Sequence, residues 1–197
     1  MRLFPGLTAV LLLAGCATPA AEPVSEPVEV VAEPGTYDFD ILIKGGTIYD
    51  GSGGKPYVAD VGVKDGRINA VYPKLKGDAA VEIDARGKAV APGFIGSGDV
   101  QWGFVWRGRC GDDMPIVGEP LARAVQRLTS ERAERIGLNE HGRLMPGWAA
   151  DLVVFDSRGA LPVPDAVHDV IIGGVFAVED GRLTGQATPV GHETCGS

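Results

Sequence analysis

Three histidines, an adjacent pair of aspartates and three cysteines are the side chains of this 197-residue chain that could hold a metal, move a proton or attack a carbonyl. A catalytic zinc needs three His, Cys or carboxylate ligands in one cluster with a fourth position left open. His141, His168 and His192 are too far apart in sequence to pair at metal-ligand spacing, and each reads as a surface or turn residue. Asp112 and Asp113 lie near Cys110 in a glycine-containing stretch. Two carboxylates can share acid and base work, but neighbours in such a segment read as a solvated turn. Gly51-Ser52-Gly53-Gly54-Lys55 looks like a phosphate cradle until its flanks are read, since Tyr49 stands where that loop needs glycine and Pro56 where it needs Ser or Thr. Ser97, between Gly96 and Gly98, lacks the outer glycines of a nucleophile elbow and reads as a loop residue.

The elements that would position these groups are mostly strands. Phe39 to Lys44, Thr47 to Tyr49, Val58 to Lys64, Arg67 to Tyr72 and Val81 to Ala85 are short β-rich runs separated by Gly45-Gly46, Asp50 to Gly54, Asp65-Gly66 and Arg86-Gly87. Such runs, with Asp-Gly and Gly-Gly between them, predict hairpins and an antiparallel first half. Leu121, Ala124, Val125 and Leu128 then recur at helical spacing within Glu119 to Leu128, and Thr129-Ser130 is a capping pair for a second short helix, Glu131 to Ile136, ended by Gly137. Asp151 to Asp156, Asp169 to Ile172 and Val175 to Glu179 return to strand, with turns at Gly173-Gly174 and Asp180-Gly181. The expected class is mainly β with two short helices.

The first fifteen residues join Arg2 to the apolar run Leu3 to Leu13 and then to small residues, the pattern of a secretory signal and too short to span a bilayer. Leu13-Ala14-Gly15-Cys16 resembles the lipobox of bacterial lipoproteins, which implies a lipid on Cys16 and a membrane partner. Residues 16–36 carry prolines 19, 23, 27 and 34 among Ala, Glu, Val and Ser, a composition that buries too little apolar surface to fold and reads as a tether. The expected location is the bacterial cell envelope, lipid-anchored and facing the periplasm. There Cys110 and Cys195 form a candidate disulfide, with two separate thiols as the alternative. A formal net charge of −8, with no basic stretch, excludes nucleic acid as a partner.

The order of the pieces carries a family resemblance. Asp40-Ile41-Leu42-Ile43-Lys44-Gly45-Gly46-Thr47-Ile48-Tyr49-Asp50-Gly51, Asp60 to Ile68, Ile83 to Lys88 and Val90-Ala91-Pro92-Gly93-Phe94-Ile95 resemble the entry half of metal-dependent amidohydrolases, most of all the N-acyl-D-amino-acid deacylase (D-aminoacylase) type. Leu128-Thr129-Ser130, Ala133 to Leu138, Gly142 to Gly147, Ala150 to Asp156 and Val178 to Gly185 resemble its exit half. The resemblance implies a composite β-sandwich made by residues 37–95 and 119–197, beside a barrel that holds zinc. It also implies that Gly93 leads into a barrel strand ending in Asp-x-His-x-His. Here Gly96, Gly98 and Val100 stand at those three positions. Only about 25 residues separate Phe94 from Glu119, against at least ~200 for a (β/α)₈ barrel, so no barrel fits between them. The implied zinc loses its ligands, and no cofactor and no catalytic residue are expected.

Residues 96–118 replace the barrel. Either Trp102, Phe104 and Trp106 fold back over the apolar surface the barrel would cover, with Arg107 and Arg109 facing water, or these five residues form a binding surface for a protein or small-molecule partner. Three functions follow: a non-catalytic binding or scaffold module, hydrolysis of a non-peptide carbon–nitrogen bond with help from a partner, or a degenerate product with no function. One expectation can be checked directly. Cys16→Ala should prevent lipid attachment and leave the chain unprocessed or soluble, whereas unchanged membrane fractionation with a normally processed N-terminus would argue for an ordinary cleaved signal.

Overall fold

The computed structural model describes residues 37–97, 99–107, 118–157, 161 and 164–191. Its first strand, β1 (Phe39–Ile48), pairs antiparallel with β2 (Tyr57–Lys64), which turns back at Asp65-Gly66 into β3 (Arg67–Tyr72). The sequence reads Gly45-Gly46 as a turn between two strands, but the structure runs through it as one strand with a bulge. Ile43 pairs with Val61 and Gly46 with Ala59, so three steps on β1 match two on β2. Gly45 takes φ +68, and its N–H donates to the buried Asp60 carboxylate at 2.8 Å. A Cβ on Gly46 would lie 2.4 Å from Val90 Cγ2, so only glycine lets the two backbones approach this closely.

At the bulge β1 changes neighbours. Before it, Phe39 to Lys44 pair with β4 (Ala79–Asp84); after it, Thr47 and Ile48 pair with β5 (Ala89–Pro92). Both pairings are parallel, which corrects the antiparallel expectation for this half. The hairpin signals are genuine for β2 and β3, but β4 and β5 reach β1 by crossing back, and no local turn residue encodes that.

Three-residue β6 (Phe94–Gly96) and β7 (Phe104–Arg107) follow, then α1 (Leu121–Leu128), α2 (Ser130–Arg135), β8 (Leu152–Phe155), β9 (Val167–Ile172), β10 (Val175–Glu179), β11 (Arg182–Leu183) and β12 (Val190–Gly191). The long sheet has nine strands in the order β11-β10-β9-β8-β5-β1-β2-β3, with β4 beside β1. It curls on itself. Ile41, Ile43, Val61, Val63 and Ile68 from its first strands share one core with Val90, Leu152, Val154 and Ile171 from the other end of the order. The β2–β3 and β9–β10 turns close the curl, where a Cβ on Gly174 would meet Gly66 Cα at 2.8 Å. The result is a sandwich-like, mainly β fold with no closed barrel among the described residues.

The opposite face of β5, β8 and β9 carries Ala89, Ala91, Val153, Phe155 and Val170 into a second core, roofed by Leu121, Val125 and Leu128 of α1 and by Phe94, Phe104 and Val105. α1 buries the positions its spacing predicts. The expected cap of α2 is not made. Thr129 Oγ1 donates back to Val125 O at 2.8 Å and Ser130 Oγ to Gly51 O at 2.7 Å, so both hydroxyls serve other chain segments while the backbone bends between the helices. α2 stops at Gly137, φ +72, with Leu138 N–H bonded to Ala133 O at 2.8 Å.

Two buried carboxylates tie turns to the sheet, and each yields a test. Asp60 accepts Gly45 N–H with one oxygen and Leu75 N–H with the other, at 2.8 and 2.9 Å. Asp60→Asn offers one acceptor and sets an NH₂ against a backbone N–H, so it should lower stability by about 1–3 kcal/mol, read as a urea midpoint shift at constant slope. Asp169 accepts Asp180 N–H at 3.1 Å from within β9, and burial pushes its carboxyl above the ordinary value against the pull of that hydrogen bond. Its folded form therefore holds a proton more tightly than its unfolded form. The associated stability is complete below the unfolded pKa and is lost as pH rises through the folded one. Asp169→Asn should gain on the parent protein as pH climbs through that window; a midpoint difference that stays flat with pH would contradict this.

Candidate functional site

The carboxyl end of β6 is where the sequence resemblance implies a metal. Gly93 leads into it: its N–H bonds Asp151 O at 3.0 Å, and a Cβ there would lie 2.4 Å from Val105 Cγ1. Phe94 then sets its ring edge-on to Phe104 and Phe155, with centroids 5.8 and 6.2 Å apart. After Gly96 the chain passes Ser97 and Asp99, makes a 3-10 turn over Val100–Trp102, reverses at Gly103 (φ +85) and returns as β7, parallel to β6. Gly96 carries no ligand atom, and Val100 is buried in the α1 core. Gly98 lies outside the described residues. Among those described, no group of three or more His, Cys, Asp or Glu is placed to hold a metal ion. The residues present at the end of β6 do not fit the zinc that the resemblance implies.

What occupies the outer side of β6 is Arg132 of α2, which sequence reasoning missed. It is 2% exposed, and its Nη1 donates to Ile95 O at 2.7 Å. A strand edge without a neighbour leaves such carbonyls unpaired, and the guanidinium supplies the donor a further strand would have given. Nothing in the local pattern of Ser130 to Arg135 marks that arginine as buried, because its partner is 37 residues away.

Of the candidate binding surface, Phe104 is 7% exposed and lies in the core, so its ring is not offered to solvent. The backbones of Trp106 and Arg107 run between β6 and β12, which pairs with them at Val190 and Gly191. Trp102 sits in the 3-10 turn. The side chains of Trp102, Trp106 and Arg107 lie outside what the structure describes, as do Arg109, Cys110, Asp112, Asp113, His192, Cys195 and the lipidation candidate Cys16.

The two described histidines each face a different carboxylate. His168, in β9, faces Asp156 at 3.0 Å. His141 sits in the loop after α2 with Nδ1 2.8 Å from the buried Asp151 carboxylate, whose other oxygen accepts Gly173 N–H at 2.9 Å. This loop and α2 line a cavity of about 460 Å³ whose walls include Glu134, Asn139, Glu140, His141, Arg143 and Trp148. The sequence placed His141 in this loop and gave it no partner. Asp151 is ten residues further on, beyond any helical or strand spacing.

No family model matches the chain. Among curated proteins it is 54% identical over 57 residues to an allantoinase of Rubrobacter xylanophilus, covering 29% of this chain and 12% of that protein. It is 37% identical over 87 residues to an N-acyl-D-glutamate deacylase of Alcaligenes xylosoxydans xylosoxydans, covering 41% and 18%. A crystal structure of the N-acyl-D-glutamate deacylase of Bordetella bronchiseptica, with zinc and a phosphonate inhibitor, aligns at 34% identity and a TM-score of 0.34, covering 42% of this chain and 21% of that one. The chain thus spans less than a fifth of the length of these curated relatives.

Proposed function

We propose that this chain, whose homologues are deacylases and other amidohydrolases matched over part of their length, is a non-catalytic binding or scaffold module built on their β-sandwich. One observation carries the reading. The strand that would begin the catalytic barrel ends at Gly96, is followed by a 3-10 turn that starts at Val100, pairs with β7, and has its Ile95 carbonyl taken by Arg132. β6 is therefore engaged by the chain itself, and Gly96 and Val100 bring no ligand atom to the positions that the resemblance assigns to the metal.

In this reading the sandwich is what the chain displays, and the lipid on Cys16 and the tether up to residue 36 hold it at the periplasmic face of an envelope membrane. In the fully extended limit of ~3.1 Å per residue, a tether of that length would reach at most roughly 60 Å from the bilayer. The remaining polar interior supports a structural role. Asp60, Asp151, Asp169 and Arg132 each direct charge onto backbone groups that hold turns and edges in place.

The test is metal content and turnover of the full-length chain after incubation with zinc. Well under one zinc per chain and no release of acid from N-acyl-D-amino acids are expected, together with a cooperative thermal transition that separates a folded module from a degenerate product. About one zinc per chain with chelator-sensitive turnover would overturn the proposal.

A further inference from the structure

We propose that the cavity between α2 and the 137–148 loop binds a small organic monocarboxylate with an apolar body, held by Arg143 and stacked on Trp148. The proposal holds whether or not the chain is catalytic, because the cavity is distinct from the end of β6. Its volume of about 460 Å³ is within the usual range of small-ligand sites. Arg143 is half-buried, lines the cavity and makes no hydrogen bond or ion pair with any described residue. A guanidinium drawn partly out of water without an anion is a standing demand for one, and its planar fork fits a carboxylate.

The other walls define the body of the ligand. Trp148 is half-buried and offers an aromatic surface, with Ala133 and Leu138 as apolar neighbours. The remaining charges are already engaged or exposed. His141 is held by Asp151, Glu140 is bridged by Arg67 at 2.8 Å, and Glu134 is exposed at the rim. Two rim carboxylates disfavour a second negative charge on the ligand, which selects monocarboxylates over dicarboxylates.

The loop is held in place before any ligand arrives. Trp148 O accepts Ile68 N–H at 2.9 Å, Gly147 N–H donates to Ile68 O at 2.8 Å, and Ala149 N–H donates to Glu140 O at 3.0 Å. Glu140 takes φ +60, a left-handed conformation that a glutamate rarely adopts, at the bend that brings His141 and Arg143 onto one wall. A site fixed by backbone bonds to β3 loses little freedom on binding.

The experiment titrates phenylacetate, 2-phenylethanol and phenylsuccinate into the full-length chain, following the Trp148 indole N–H by NMR alongside calorimetry. Phenylacetate should shift that resonance saturably, with the neutral alcohol and the dicarboxylate each weaker by about tenfold or more. Arg143→Gln should weaken phenylacetate by a similar factor at an unchanged unfolding temperature, and Arg143→Lys, which keeps the charge without the planar fork, should recover only part of the binding. No saturable shift, equal binding of the alcohol, or undiminished binding by Arg143→Gln would overturn the proposal.

Discussion

A strand cannot pair with two different neighbours on the same side unless its ladder is interrupted where it passes from one to the other. In this protein that place is Gly45-Gly46. The extra residue there lets β1 give its first half to β4 and its second to β5, and from β5 the chain reaches β6 and the α1 core. The conformation of Gly45 and the bare Cα of Gly46 permit the step, while Asp60 satisfies the N–H it leaves outside the ladder. The same sheet closes its curl where Gly66 meets Gly174.

The same accounting of backbone groups explains why the fold tolerates a short bridge. Short parallel strands with open edges are poor structures, since each unpaired carbonyl held away from water is unfavourable. β6 is only three residues long, yet it lies beside β7, and its Ile95 carbonyl meets the Arg132 guanidinium. The apolar side is closed by the same elements, with Phe94 set between Phe104 and Phe155. The bridge residues thus complete the second core as well as connecting the two halves of the sandwich.

How much of this the sequence discloses depends on the distance over which each feature is decided. The turns at Asp65-Gly66 and Asp180-Gly181 are legible because positive φ at both residues is a local demand met by local residue types. The buried stripe of α1 is legible for a similar reason, the period of the helix. The parallel partners of β1 are not, because β4 and β5 are chosen by register and burial across the sheet. Gly45-Gly46 misleads because one dipeptide serves a turn and a bulge equally well, and only the position of Val90 and Asp60 decides between them. Thr129-Ser130 misleads likewise: the hydroxyls suit a cap, but a carbonyl one turn back and another at Gly51 compete for them.

The candidate site was legible mainly as a loss. Gly96 and Val100 can be read off the chain as residues without ligand atoms, whereas Arg132, Asp151 and Arg143 acquire meaning only from what the fold sets beside them. Among these the distinction is one of saturation. Asp151 and Asp60 each have both oxygens engaged, so they resist change but offer nothing to a ligand. A group can act on another molecule only if the fold withholds part of its pairing capacity while still holding it in place. Arg143 meets that condition, being half-buried on a loop bonded to β3 with its charge unmatched by any described residue. On that criterion recognition falls to the loop beyond α2, whereas at the strand tip Gly96 and Val100 offer no polar side-chain atom to a ligand.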